Sequence, residues 1–180
     1  QAVMTDAIEK TIDPGMAIVE AGMGLGKTEI ALLAAEQLAY IKGQDGIFMG
    51  LPTQATSNAM FDRVSDWLTT IAKSQGESFP IKLIHGKAQF NRDYTSLPRA
   101  SNVGGPNAVV VNSWFSGKKS ILTKFTVGTI DNLLSMGLKQ KHLFLKHLGF
   151  SGKVVIIDEA HAYDMYMNQY LYKAITWLGA

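Results

Sequence analysis

Eight consecutive residues constrain this chain more than any others: Ala21-Gly22-Met23-Gly24-Leu25-Gly26-Lys27-Thr28. An apolar run over 17–21 leads into them, and a stretch of helical periodicity over 28–40 leads out. Such a glycine-rich turn between a strand and a helix lets backbone N–H groups point inward at an anion. The positive end of the following helix aims at the same place. Lys27 supplies a point charge for the β and γ phosphates of a nucleotide. The Thr28 hydroxyl is an oxygen ligand of the kind that Mg²⁺ takes while keeping several of its waters. A merely structural strand–turn–helix explains the glycines but not the Gly-Lys-Thr ending. The expected cofactors are therefore ATP and Mg²⁺, with Ala21, Gly22, Met23, Gly24, Leu25, Gly26, Lys27 and Thr28 as the nucleotide-binding set.

The second constraint is Val154-Val155-Ile156-Ile157-Asp158-Glu159-Ala160-His161, an apolar strand that ends in two acids, a small residue and a histidine. In open parallel sheets, ligands gather at the carboxyl ends of strands. Asp158 and Glu159 are thus expected beside the phosphate loop. Asp158 is placed to hold Mg²⁺, and Glu159 to orient and deprotonate an attacking water. His161 is placed to read the γ-phosphate and pass its state to a neighbouring lobe. Lys27, Asp158, Glu159 and His161 form the catalytic set, and Thr28 and Asp158 the metal set. Read alone, the second string is also compatible with a strand end carrying solvated acids.

Between these strings, periodicity predicts strands over 47–51, 81–84, 125–127 and 154–157, besides 17–21. Helices are predicted over 28–40, with Ile30, Leu33, Ala34 and Leu38 on one face, and over 55–71, with Met60, Val64, Trp67, Leu68 and Ile71 as the apolar stripe. Further helices are predicted over 131–137, 139–148 and 164–178. Residues 86–117 hold Asn91, Pro98, Gly104, Gly105 and Pro106 and read as a long loop or insertion. Alternating strands and helices imply an α/β fold, a mostly parallel central sheet with helices on both faces.

The 180 residues suffice for one domain with a proper core. Charged residues make up 18% against a usual figure of about 25%, which suggests that part of the surface is covered by something else. The formal charge of +2 carries no argument about nucleic acid unless the basic groups cluster. There is no cysteine, so thiolate chemistry and thiolate metal sites are excluded. No apolar run approaches the roughly 20 residues of a membrane span, and no secretory leader precedes the first strand. A cytoplasmic setting without membrane contact is expected. Gln1 is not a natural start, so residues 1–180 read as one lobe cut from a longer chain.

Taken together, the two strings resemble the Walker A and Walker B (DEAH) motifs of superfamily-2 helicases, a class that commonly carries alanine where Ala21 stands. Leu51-Pro52-Thr53-Gln54-Ala55-Thr56-Ser57-Asn58-Ala59-Met60 resembles motif Ia, and Thr126-Val127-Gly128-Thr129-Ile130-Asp131 the segment around motif Ib. Within the superfamily, the chain is similar to the CRISPR-associated helicase–nuclease of type I interference systems. Pro52 to Met60, Lys118-Lys119 ahead of Val127 to Asp131, Lys139-Gln140-Lys141-His142 to Leu148, and Ile156 to Asp164 carry that likeness. It implies the first RecA-like lobe of a P-loop NTPase that moves 3′→5′ on single-stranded DNA, recruited by an RNA-guided CRISPR surveillance complex. The metal-dependent HD nuclease domain and the second helicase lobe, with its arginine finger, match nothing here. The lobe alone is therefore expected to bind ATP without efficient turnover, since such a finger contributes about 10³ to 10⁵ in rate.

Thr53, Thr56, Asn58 and Thr129 are the expected strand contacts. Hydroxyls and amides at a helix start suit phosphate and carry no base information, as a motor that passes any sequence requires. Helix N-capping is the competing reading of Thr53, Thr56 and Thr129. The basic run Lys139, Lys141, His142, Lys146 and His147 reads as a solvated face before it reads as a strand path. Trp114 and Phe115 read as core before base-stacking, and His85 as structural. Two other functions fit the motifs: a Swi/Snf-like translocase on double-stranded DNA, and a nucleotide-switched module that docks a protein through residues 86–117.

Overall fold

The computed structural model describes residues 2–11, 15–22, 24–75, 79–84, 109–111, 117–138, 141 and 143–179. Six α-helices occur among them: α1 (Ala2–Lys10), α2 (Lys27–Lys42), α3 (Gln54–Gln75), α4 (Asp131–Leu134), α5 (Leu143–Phe150) and α6 (Met165–Leu178). Five strands alternate with these: β1 (Gly46–Leu51), β2 (Phe79–Ile84), β3 (Val109–Val111), β4 (Phe125–Thr129) and β5 (Lys153–Ile157). They form one sheet in the order β3-β2-β4-β1-β5, and every pairing is parallel. The α/β architecture expected of a RecA-like lobe is the one observed.

β1 lies between β4 and β5, with Met49 in register with Val127 on one side and Ile156 on the other. All six of its residues are buried, as befits a parallel strand covered on both faces. Side chains alternate across a strand, and two cores result. Met49 and Leu51 join Leu32 of α2, Met60, Phe61, Val64 and Leu68 of α3, and Ile81, Leu83 and Val127. Phe48 points the other way, into a core with Ile130, Leu133 and Leu134, Phe150, Tyr163, and Leu171 and Ala174 of α6. It meets Phe150 edge to face at 4.8 Å. None of the described helices is long and apolar enough to cross a membrane.

Several expectations are corrected. Residues 17–21 form no strand: Ile18 is 75% exposed, and β5 pairs with β1 alone among the described strands. A strand exists through its ladder, and an apolar run that finds no partner has no means of burial. β5, open on its outer edge, is correspondingly only half-buried along its length. In α2 the buried residues are Leu32, Ala34 and Ala35, while Leu33 is exposed. The sequence has apolar residues all round this helix, so its period did not single out the inward face. α3 holds its expected stripe and adds Phe61 and Ala72. β3 lies inside the stretch read as a loop and forms the far edge of the sheet. α1, unanticipated, buries Ile8 and accepts a hydrogen bond from Gln37 of α2 at the Thr5 carbonyl, 3.0 Å.

Candidate functional site

Because all strands run one way, their C-terminal ends share one edge, and the singled-out residues follow those ends. Leu51 of β1 leads to Thr53, its register partner is Thr129 of β4, and β5 leads to Asp158. Helix α2 packs against β5, which brings the phosphate-loop helix to the strand that carries the acids.

The loop itself is built for close backbone approach. Gly24 (φ 77°) and Gly26 (φ 72°) both adopt the left-handed conformation, which residues with a Cβ take only at a cost. Gly26 stands at the N-cap of α2 and has no side chain with which to cap that helix. Most helices satisfy their first N–H groups with a Ser, Thr, Asp or Asn. Here glycine offers no such cap, the Glu29 carboxylate turns back on its own amide, and Lys27 and Thr28 stand in the first turn, both half-buried. This is the fit expected of a nucleotide phosphate. Met23 lies outside the described residues. The described residues hold no cluster of three or more His, Cys, Asp or Glu for a metal.

Arg63 of α3 also reaches this first turn. One of its Nη atoms donates to Thr28 Oγ1 at 3.2 Å, and the other pairs with Glu29. The Glu29 carboxyl is held below the usual carboxylate range by a hydrogen bond to its own backbone, then by Arg63. Arg63 is not marked in the sequence, because nothing in α3's apolar period singles out a charge on its solvent side.

At the end of β5 the Asp158 amide donates to the Gly50 carbonyl at 3.0 Å, so the ladder extends one residue beyond the strand. Asp158 Oδ1 then accepts from the Glu159 amide at 3.0 Å. Glu159 has φ 52° and ψ 42°, a left-handed conformation that costs a non-glycine residue of order 1–3 kcal/mol. Its carboxylate lies 3.2 Å from His161 Nδ1 on the exposed turn Ala160–Ala162. Tyr163, 6% exposed in the second core, donates its hydroxyl to the Asp158 carbonyl at 2.8 Å. Burial raises the pKa of that hydroxyl, and the charges of Asp158, Asp131 and Glu159 raise it further. It therefore stays protonated and remains a donor. Tyr163 is a second residue that the sequence reading gave no role, although it stands inside the quoted string.

The expected strand contacts are arranged unequally. Thr53 and Thr56 cap α3 reciprocally: the Thr56 amide donates to Thr53 Oγ1 at 3.1 Å, and the Thr53 amide to Thr56 Oγ1 at 3.2 Å. Their competing reading as caps is thus realised, while both remain exposed. Asn58 is half-buried. Thr129 is buried at the end of β4, and α4 is capped at Ile130 with no side-chain hydrogen bond, so Thr129 is not its cap. Of the basic run, Lys146 donates to Ser135 Oγ and His147 packs edge to face on Trp177 at 4.6 Å. Those two groups serve packing. Lys141 is exposed, while Lys139 and His142 lie outside the described residues, as do His85, Trp114 and Phe115.

Comparison with known proteins agrees with this geometry. A CRISPR-associated nuclease/helicase Cas3 of Streptococcus thermophilus is 51% identical over all of this chain, which covers 20% of that protein. A CRISPR-associated endonuclease/helicase Cas3 of Thermus thermophilus is 37% identical over 96% of the chain, which covers 19% of it. The chain therefore spans about a fifth of the length of the curated relatives it matches. A crystal structure of T. fusca Cas3-AMPPNP superposes with a TM-score of 0.79 at 33% identity, over 98% of this chain and 19% of that one. The model of the DEAD/DEAH box helicase family matches residues 2–178. With a glycine-capped phosphate loop, an acidic strand end on a parallel sheet and a match along nearly its whole length, the chain belongs to the DEAD/DEAH box helicases.

Proposed function

We propose that this chain is the ATP-binding first motor lobe of an ATP-dependent helicase that moves along single-stranded DNA in CRISPR interference. The observation that carries the reading is the glycine-capped start of α2, packed against the strand that ends in Asp158 and Glu159. The likeness to a Cas3 crystallised with AMPPNP supports it.

Bound ATP supplies the phosphoanhydride, and Mg²⁺ neutralises charge on its phosphate oxygens. The N–H groups of residues 22–28 cradle the phosphates, and Lys27 adds its charge at the β and γ positions. Thr28 Oγ1 and the Asp158 carboxylate hold the metal. Glu159 orients the attacking water and takes its proton. His161, whose Nδ1 lies 3.2 Å from the Glu159 carboxylate, senses whether the γ-phosphate is present. Thr53, Thr56, Asn58 and Thr129 grip the phosphates of a DNA strand across the ends of β1 and β4. In the parent chain, a second helicase lobe completes the nucleotide site, an HD nuclease domain cuts the strand, and an RNA-guided surveillance complex recruits the protein in the cytoplasm.

Calorimetric titration of Mg-ATP tests the central assignment. The wild-type chain is expected to bind, and Lys27→Ala to lose binding. Undiminished binding by the variant overturns the role given to the loop. Stimulation of the full-length parent's ATPase by duplex but not single-stranded DNA would instead favour a Swi/Snf-like translocase.

A further inference from the structure

We propose that Arg63 is a positioning residue that ties the strand-facing helix α3 to the metal-ligating hydroxyl of Thr28, so that nucleotide occupancy and strand binding are coupled through it. The inference rests on the proposed function, because it takes Thr28 as the Mg²⁺ ligand and the start of α3 as a DNA contact.

Arg63 lies in the third turn of α3, between Phe61 and Val64, which are 1% and 3% exposed against the sheet. Its backbone is therefore fixed to the core, and its side chain leaves on the side of α2. The guanidinium forks onto two adjacent residues of α2's first turn, Thr28 through one nitrogen and Glu29 through the other. A planar fork of this kind sets direction as well as distance, which a lysine ammonium does not. The helix that receives it begins at the phosphate loop. The helix that sends it begins at the Thr53–Thr56 cap. One side chain thus spans the two ends at which the chain is read to meet its ligands.

The chemistry of the Thr28 oxygen makes this contact sensitive to nucleotide. In the described arrangement Arg63 occupies one lone pair of Oγ1. A metal ion at the same oxygen would bring a second cationic group within a few ångströms of the guanidinium. Charges that close interact by several kcal/mol even at an effective dielectric of about 20. Glu29 and incoming phosphates offset part of that. The remainder is relieved by Arg63 swinging from Thr28 toward Glu29, which loosens α3 from the phosphate loop. By linkage, a strand that shifts α3 must alter Mg-nucleotide affinity by the same factor.

The test is a thermodynamic cycle in the full-length parent. The affinity for a fluorescent single-stranded oligonucleotide is measured by anisotropy, with and without Mg-AMPPNP, for wild type, Arg63→Ala, Arg63→Lys and Glu29→Gln. Couplings of this kind are about 5- to 150-fold. Arg63→Ala is expected to bring the ratio of the two affinities to within about twofold of one, with Arg63→Lys and Glu29→Gln between it and wild type. An equal loss in both affinities does not move that ratio, so a merely structural role leaves it unchanged. A wild-type ratio retained by Arg63→Ala overturns the proposal alone. A ratio of one in the wild type overturns it together with the motor reading beneath it.

Discussion

Glu159 and Tyr163 pull on the same turn from opposite directions. Glu159 holds a left-handed backbone (φ 52°) that no other described non-glycine residue adopts, and Tyr163 pins the preceding carbonyl to the core through a 2.8 Å hydrogen bond. The strain is tolerated because the turn is fixed on both sides of it, by the Asp158 amide on Gly50 and by the tyrosine. Tyr163→Phe removes only the hydroxyl and leaves the Asp158 carbonyl without that partner. A buried group stranded in this way costs about 1–3 kcal/mol. The expected result is a lower urea midpoint with an unchanged slope. In the parent's ATPase, kcat should fall more than KM rises, because the acids lose position and the nucleotide cradle does not. A wild-type urea midpoint would show that the bond contributes nothing.

Among the elements, β5 shows how far a local pattern carries. The four apolar residues 154–157 announced a strand, and the acids after them its C-terminal end. Both were legible because parallel strands in α/β proteins are short, apolar and bounded by turn residues. The run at 17–21 also reads as a short apolar strand and forms none, since pairing is a property of two segments and the sequence shows one. Lys153, the first residue of β5, was read as part of no site, yet its ammonium donates to the Ile121 carbonyl at 2.6 Å and to Thr126 Oγ1 at 3.3 Å. It ties β5 to β4 and to the 3₁₀ turn Gly117–Leu122. Burial pushes its pKa down from 10.5 to about 7. Between those values the unfolded chain binds a proton that the folded chain does not, so stability rises as pH increases through that window. Below pH about 7 the amine is charged in both states, and the cost of burying it is carried in full. Urea midpoints from pH 6.5 to 10 are expected to climb in the wild type, and Lys153→Met is expected to remove most of the climb.

For the whole molecule, the relation to longer relatives sets what the chain does unaided. It covers about a fifth of the length of the Cas3 relatives it matches. A second lobe's arginine at the transition state contributes about 10³ to 10⁵ in rate. The chain alone is expected to bind Mg-ATP and release phosphate slowly, with little change on adding single-stranded DNA. Rapid, DNA-stimulated phosphate release by these 180 residues would refute that. The two strings that point to the family were readable one by one, because each is a run of consecutive residues. Arg63 was not readable, because its meaning lies in a contact with residues 34 and 35 positions away.

The strand order has a consequence in time. β1 is the first strand to leave the ribosome among those described, yet its partners are β4 and β5, the last two. At about 5–20 residues per second, roughly 100 residues separate its synthesis from that of β5, a wait of some 5–20 s. Until β4 is made, the apolar segment Gly-Ile-Phe-Met-Gly-Leu has neither of its neighbours, and until β5 is made it has only one. A nascent chain of this kind depends on shelter during that interval, and the later strands release it by closing over the middle of the sheet.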